Sequence, residues 1–279
     1  MAVRDLAELS LTPLSGAVVD GVVEVDLRDG WLQPGHLVGV AALAQSCASR
    51  GRRFRLHVGP TRTSYASRMH LGAVLSQLGG VHDLPAVPER ARERDLLEVT
   101  PLASPDGTRR LAALVRDKVL GQDPEAAGAL YECLTELGLN VQEHAGTTGF
   151  AAAQTLLRGE EVLFAVADCG RGLAGTLAVR GATNDREAVE LALRGVSRLD
   201  APDRGLGLRT MVALVGRLGG SLSLVSGSAI ALAGARGVRY RASRTPFGGT
   251  LVQGRVRLDV HKTSSPGLVT QPEGRTLIT

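Results

Sequence analysis

Val162 to Ala167 is an unbroken apolar run, VLFAVA, bounded by Glu161 and closed by Asp168 and the glycine-rich stretch Cys169-Gly170-Arg171-Gly172. A strand with one wet face alternates apolar and polar residues. This one does not alternate, so both its faces are dry and it belongs near the middle of a sheet. A chain of 279 residues with 44% hydrophobic and 22% charged residues has ample material for such a sheet and its cover. That length suits one large or two modest domains.

The rest of the chain falls into two regimes. Residues 1–20 read as a lead-in. VVEVDL (22–27) and FRLHVG (54–59) read as strands, separated by a helix that starts near Pro34 and stops before Gly51. TSYASRMHLGAVLSQLG (63–79) reads as one further helix, capped by Thr63 or Ser64. After a proline-rich connection, LLEVTPL (96–102) is expected to complete this first α/β unit, and SPDG (104–107) to form a turn. Beyond residue 109, LAALVRDKVLG and a longer segment opening at Pro124 read as helices. GFAAAQTLL and EVLFAVADCG read as strands, and 184–195 and the segment after Gly205 as helices. SLSLVSG, VRYRAS and GTLVQGRVRL read as separate strands. Residues 262–279 read as a flexible tail.

Several classes of function are disfavoured at once. The only lysines, Lys118 and Lys262, do not follow glycine, so no P-loop is present. Cys47, Cys133 and Cys169 are scattered, which argues against structural disulfides and a zinc site. The net charge of +4 is spread out and aromatics are 3%, so direct nucleic-acid binding is not expected. No apolar run is long enough for a membrane span and the N-terminus lacks a secretory pattern, so a cytoplasmic location is expected.

Glu136, Asn140 and His144 are spaced four apart in LTELGLNVQEHAG. At ~100° per residue they share one side of a helix, with Leu130, Leu134, Leu137 and Val141 on a packing stripe. Three glycine-bearing motifs follow in order. Asp168, Gly170 and Gly172 end the buried strand, Gly205 and Gly207 precede a helix, and Phe247-Gly248-Gly249-Thr250 opens a last strand. Asp168 can accept a hydrogen bond from an exocyclic amino group, which favours adenine over guanine. Gly170 and Gly172 let backbone lie against a flat base. Gly205 and Gly207 free the N–H groups of a helix start, where phosphates bind. Asn140 offers an oxygen to Mg²⁺, Glu136 suits a general base, and the Thr250 hydroxyl completes the base contacts. Taken singly, each motif is also an ordinary turn, cap or bend; their order makes the case.

Together these residues resemble the Bergerat-type (GHKL) ATP-binding fold of histidine kinases, type II topoisomerases and MutL, over about 109–258. The form Glu-x-x-x-Asn-x-x-x-His is most similar to the stand-alone anti-sigma-factor serine/threonine kinases. The resemblance implies a two-layer α/β sandwich with a mixed, mainly antiparallel sheet and a lid over 173–204. It also implies ATP and Mg²⁺ as cofactors. By the same resemblance Glu136 acts as base, Asn140 holds the metal, and Asp168 reads adenine. Gly170, Gly172, Gly205, Gly207, Gly249 and Thr250 complete the nucleotide contacts. Arg204 or Arg209 would approach the phosphates by position. The lid lacks lysine, and SGSAIALAGARG before the last motif departs from the pattern. Residues 21–103 resemble, more loosely, the STAS-type domain of anti-sigma antagonists, whose phosphate acceptor would fall on Ser64 or Thr63.

The expectation is therefore an ATP-binding regulator that phosphorylates or switches a partner protein. The partner would be a sigma factor, an anti-sigma antagonist or a similar regulator, and a homodimer is left open. The alternative is a nucleotide-gated interaction module with little turnover. A histidine kinase is disfavoured, because no histidine sits in a phosphoacceptor box on a long helical hairpin.

Overall fold

The computed structural model describes residues 17–27, 32–60, 63–86, 95–156, 160–197 and 206–259. Gly205, Arg204, the lead-in before residue 17 and the tail after 259 lie outside the described residues, as do 198–203 of the expected lid. The chain is mixed α/β, built on two sheets.

The first sheet has the order β1 (Ala17–Val19), β2 (Val22–Leu27), β3 (Arg53–Val58), β4 (Val81–His82). β1 and β2 form an antiparallel hairpin; β2–β3 and β3–β4 are parallel. The parallel crossover from β2 to β3 runs through α1 (Pro34–Ser49). Pro34 occupies the first helical turn, where its missing N–H costs nothing. Gln33 and His36 complete a reciprocal cap, with the Gln33 N–H donating to His36 Nδ1 at 3.1 Å. Burial lowers the His36 pKa to about 4, so this ring is neutral and its Nδ1 remains an acceptor. The single helix expected over 63–79 is instead two, α2 (Thr63–Arg68) and α3 (Leu71–Gln77). The break is His70, whose left-handed backbone (φ 59°) no continuous helix tolerates.

The second sheet has the order β5 (Asp95–Leu102), β6 (Gly149–Leu156), β7 (Glu161–Asp168), β9 (Gly237–Arg257), β8 (Ser221–Gly234). Every pairing in it is antiparallel. Two expectations are corrected here. β5 does not complete the first unit; it is the edge strand beside β6. It stays tied to the first unit through Val99, whose N–H donates to the Met69 carbonyl at 3.0 Å and whose side chain is buried in the cluster around α1. The strands expected separately at VRYRAS and GTLVQGRVRL are one strand, β9, and SGSAIALAGARG turns out to form the β8–β9 hairpin.

Helices α4 (Pro105–Leu120), α5 (Pro124–Asn140), α6 (Gly172–Leu177), α7 (Asp185–Leu193) and α8 (Leu206–Arg217) accompany this sheet. SPDG is a helix start rather than a turn: the Ser104 hydroxyl accepts the Gly107 N–H at 3.1 Å. Asp123 caps α5, one oxygen accepting the N–H groups of Glu125 and Ala126 at 3.1 Å. Its other oxygen accepts the Asp259 N–H at 2.8 Å, pinning the helix start to the chain beyond β9. A cap of this kind is worth about 1 kcal/mol.

Both faces of β7 are buried, as its apolar run demands, and the cover differs on each side. Val162, Phe164 and Val166 pack with Leu130, Leu134 and Leu137 of α5, Val189 of α7 and Met211 of α8. Ala165 and Ala167, with Phe150, Ala152 and Leu251, pack with Leu37, Val38 and Ala41 of α1. The sheet is therefore covered twice, where two layers were expected. The N-terminal helix is part of its core. The contact has a polar centre: buried Gln253 of β9 accepts the Gly35 N–H at 2.8 Å and donates to the Gln33 side chain at 2.8 Å.

Candidate functional site

The site forms where α5, the end of β7, the middle of β9 and the start of α8 converge. Leu130, Leu134, Leu137 and Val141 are buried as the periodicity requires, and this turns Glu136 and Asn140 toward the sheet's end. The helix does not continue unchanged to His144. Val141–Ala145 forms a π turn, closed by Gly146 with φ 71°. Such turns are rare and cluster at functional sites. The wider turn still leaves His144 on the cavity wall, with Nε2 3.8 Å from Glu143.

A cavity of about 440 Å³ opens here. That volume is in the range of small-molecule sites. Glu136, Asn140 and His144 line it together with Asp168, Gly172, Gly207 and Thr250. Val166, Val252, Leu173 and Leu177 also line it. Arg109 of α4 is a cavity residue that the sequence reading missed, because an arginine in the first turns of a surface helix is unremarkable. Arg209 is exposed and does not line the cavity.

Asp168 is the most constrained group. Its side chain is buried at the end of β7, and Oδ1 accepts the Gly170 N–H at 2.8 Å. The Thr250 backbone N–H is a second donor, consistent with the Asp168–Thr250 register of β7 and β9. Burial raises its pKa from 3.8 to about 6 in spite of these two donors. The carboxyl is thus ionised at neutral pH, at a cost, and facing a cavity.

The glycines have specific reasons. Gly170 lies against the Ala145 carbonyl, with no space for a side chain. Gly172 (φ +66°) packs on the Gly249 carbonyl, and Gly249 (φ +143°) packs on the Asp168 carbonyl. Neither Gly170 nor Gly249 lines the cavity; both shape the backbone that does. Gly207 lies against the Glu136 side chain, bringing that carboxylate to the first turn of α8.

Two residues of the assembly left no signal in the sequence. Buried Ser226 of β8 accepts the Leu173 N–H and donates to the Gly249 carbonyl. Asp185, opening α7, accepts the backbone N–H of Ser228 at 2.7 Å and its hydroxyl at 2.8 Å. That bond fixes α7 to β8, and with it Ala192 on the cavity wall. A serine within a run of small strand residues looks like any other.

The described residues contain no helix long and apolar enough to cross a membrane. Comparison of the chain with known family models, with curated proteins and with solved structures finds no match in any of the three.

Proposed function

We propose that the protein binds Mg-ATP in this cavity and uses it to phosphorylate or switch a partner protein, as the resemblance to Bergerat-type anti-sigma-factor kinases implies. The observation that carries the reading is Asp168: a buried, ionised carboxylate held by two backbone N–H groups and facing a cavity that Val166, Val252, Leu173 and Leu177 also line. Such a group is costly without a ligand, and the adenine amino group supplies the donor that offsets the cost. Guanine presents an acceptor at the same place and is disfavoured.

The residues suit the rest of the nucleotide. Asn140 offers its amide oxygen to the magnesium ion that accompanies the phosphates. The start of α8 at Gly207 lines the cavity, and a helix start presents backbone N–H groups suited to anionic oxygens. Mg-ATP supplies the transferable phosphoryl group. Glu136, beside that helix start, accepts the proton of an incoming hydroxyl and orients it. Thr250 lines the cavity beside Asp168, its partner across the strands, where its hydroxyl completes the base contacts. The four-stranded N-terminal unit is read as STAS-like and the second sheet as Bergerat-type.

One observation favours the nucleotide-gated module as the second reading. Along β7 and β9, Val166, Thr250 and Val252 line the cavity, while Ala165, Ala167, Leu251 and Gln253 face α1. A ligand that shifts these strands shifts the seat of the N-terminal unit.

Titration of ATP, ADP and GTP with Mg²⁺ against wild type and Asp168→Ala tests the site. ATP is expected to bind at least about tenfold tighter than GTP, a difference of about 1.4 kcal/mol, and the variant to lose that preference. Equal binding of ATP and GTP by the wild type refutes the reading. Label from γ-³²P-ATP on a partner protein marks the kinase, and tight binding without transfer marks the module.

A further inference from the structure

The carboxylate at the centre of the site is held by groups from two different segments. The Gly170 N–H belongs to the turn between β7 and α6. The Thr250 N–H belongs to β9. Nothing in either segment alone fixes the distance between them. If the turn lifts away from β9, Asp168 loses a donor and its direction.

One side chain joins the two segments. Ser226 Oγ accepts the Leu173 N–H at 2.8 Å, at the start of α6 on the turn side. The same hydroxyl donates to the Gly249 carbonyl at 2.8 Å, one residue before Thr250. Gly172, with φ +66°, lies in the angle between them, and a Cβ there would sit 3.1 Å from both the Gly249 oxygen and Ser226 Oγ. Ser226 is 2% exposed, so water does not stand in for it. A hydroxyl accepts and donates at once, which both bonds require; a methyl does neither. The β8–β9 ladder is irregular immediately after Ser226, at Gly227, where Asp185 of α7 packs in. The strand thus breaks register at the brace and resumes its pairing with β9 at Ala229.

We propose that Ser226 is a positioning residue of the site, which sets base selectivity by locking the Gly170–Leu173 turn to Gly249–Thr250 around Asp168. The proposal rests on the nucleotide reading above. It places selectivity under the control of a residue outside the cavity wall and on a different strand from every residue that touches the base.

The test uses the full chain, wild type, Ser226→Ala and Ser226→Thr. The first measurement needs no ligand: amide hydrogen exchange at Gly170 and Leu173. Exchange at both is expected to accelerate about tenfold or more in Ser226→Ala, with the amides of β6 unchanged, and to slow again in Ser226→Thr. The second is the ratio of ATP to GTP affinity with Mg²⁺, expected to shrink about tenfold in Ser226→Ala and to recover in Ser226→Thr. Unchanged exchange and an unchanged ratio in Ser226→Ala overturn the proposal. So does equal weakening of both nucleotides with faster exchange throughout the sheet, which marks a general structural role. Failure of Ser226→Thr to recover either measurement also overturns it. A wild type with no ATP preference refutes the nucleotide reading instead, and the ligand-free exchange then still decides whether the brace exists.

Discussion

Replacing Asp168 by asparagine should make the unliganded protein more stable at neutral pH. The folded protein holds the Asp168 proton until about pH 6, whereas the carboxyl ordinarily titrates near 3.8. Between those values the folded state binds the proton more tightly than the unfolded chain. Stability is then fully present below about 3.8 and is lost as pH rises through about 6. At about 1.4 kcal/mol per pH unit, that loss is about 3 kcal/mol above pH 6. Asparagine avoids the ionisation, and its amide oxygen accepts the Gly170 and Thr250 N–H groups as the neutral carboxyl does, but burying its extra N–H costs about 1 kcal/mol relative to that carboxyl. The net gain is about 2 kcal/mol, or roughly 4–8 °C in the thermal midpoint for a chain of this size. Thermal unfolding followed by circular dichroism from about pH 4 to pH 8 measures it. Asp168→Asn should melt above wild type near pH 7.5 and slightly below it near pH 4. A difference between the two proteins that does not change with pH refutes the reasoning. In the proposed site the same change takes the charge off the adenine acceptor and sets an NH2 donor beside it, so the more stable protein should be the poorer ATP binder, a trade-off common where a site stores unfavourable charge.

Two further outcomes follow from the geometry. Glu136→Ala should leave the ATP affinity within about threefold of wild type and lower phosphoryl transfer by about 10²–10⁴-fold, read from single-turnover transfer of labelled phosphate; full transfer by the variant removes Glu136 from the chemistry. Gln253→Leu strips the partner from the buried Gly35 N–H and from the Gln33 amide, and should cost about 1–3 kcal/mol, read as a lower denaturant midpoint; a midpoint at or above that of wild type shows that the polar centre beneath α1 is dispensable.

What the sequence reveals here is local and ordered; what it hides is pairing. Pro34 and Pro124 mark helix starts, and the structure begins helices at both. The apolar run of β7 identifies a central strand, and the strand lies third of five. The order of the motifs and their resemblance group Glu136, Asn140, Asp168, Gly172, Gly207 and Thr250 as one site, and one cavity gathers them, while Gly170 and Gly249 lie behind its wall. LLEVTPL is legible as a strand, but its sheet is not. Its partner β6 lies some fifty residues on, and nothing in LLEVTPL encodes which edge it joins. SPDG has the composition of a turn, yet Ser104 before Pro105 is a helix-start signature that outweighs it. The break at His70 is invisible to hydrophobic periodicity, since Leu71, Val74 and Leu75 simply resume the pattern. Ser226 and Asp185 act through hydrogen bonds made 53 and 43 residues away in the chain, a range that no motif spans.

The alanines on the back of the second sheet have a consequence for how this gene could be cut or recombined. Ala152, Ala165 and Ala167 present only methyl groups to α1, whose Gly35, Ala41 and Ala42 are buried in turn. Small residues on both sides let helix and strands approach closely, and the fit is specific to this pair of surfaces. A fragment beginning after the first hundred codons would carry a naked sheet face with Phe150, Val225 and Leu251 exposed, a surface prone to aggregate. A shuffled gene carrying another α/β unit in front would need an equally slender helix, with a free N–H and an amide in register with Gln253. The two sheets thus share α1 as one buried element.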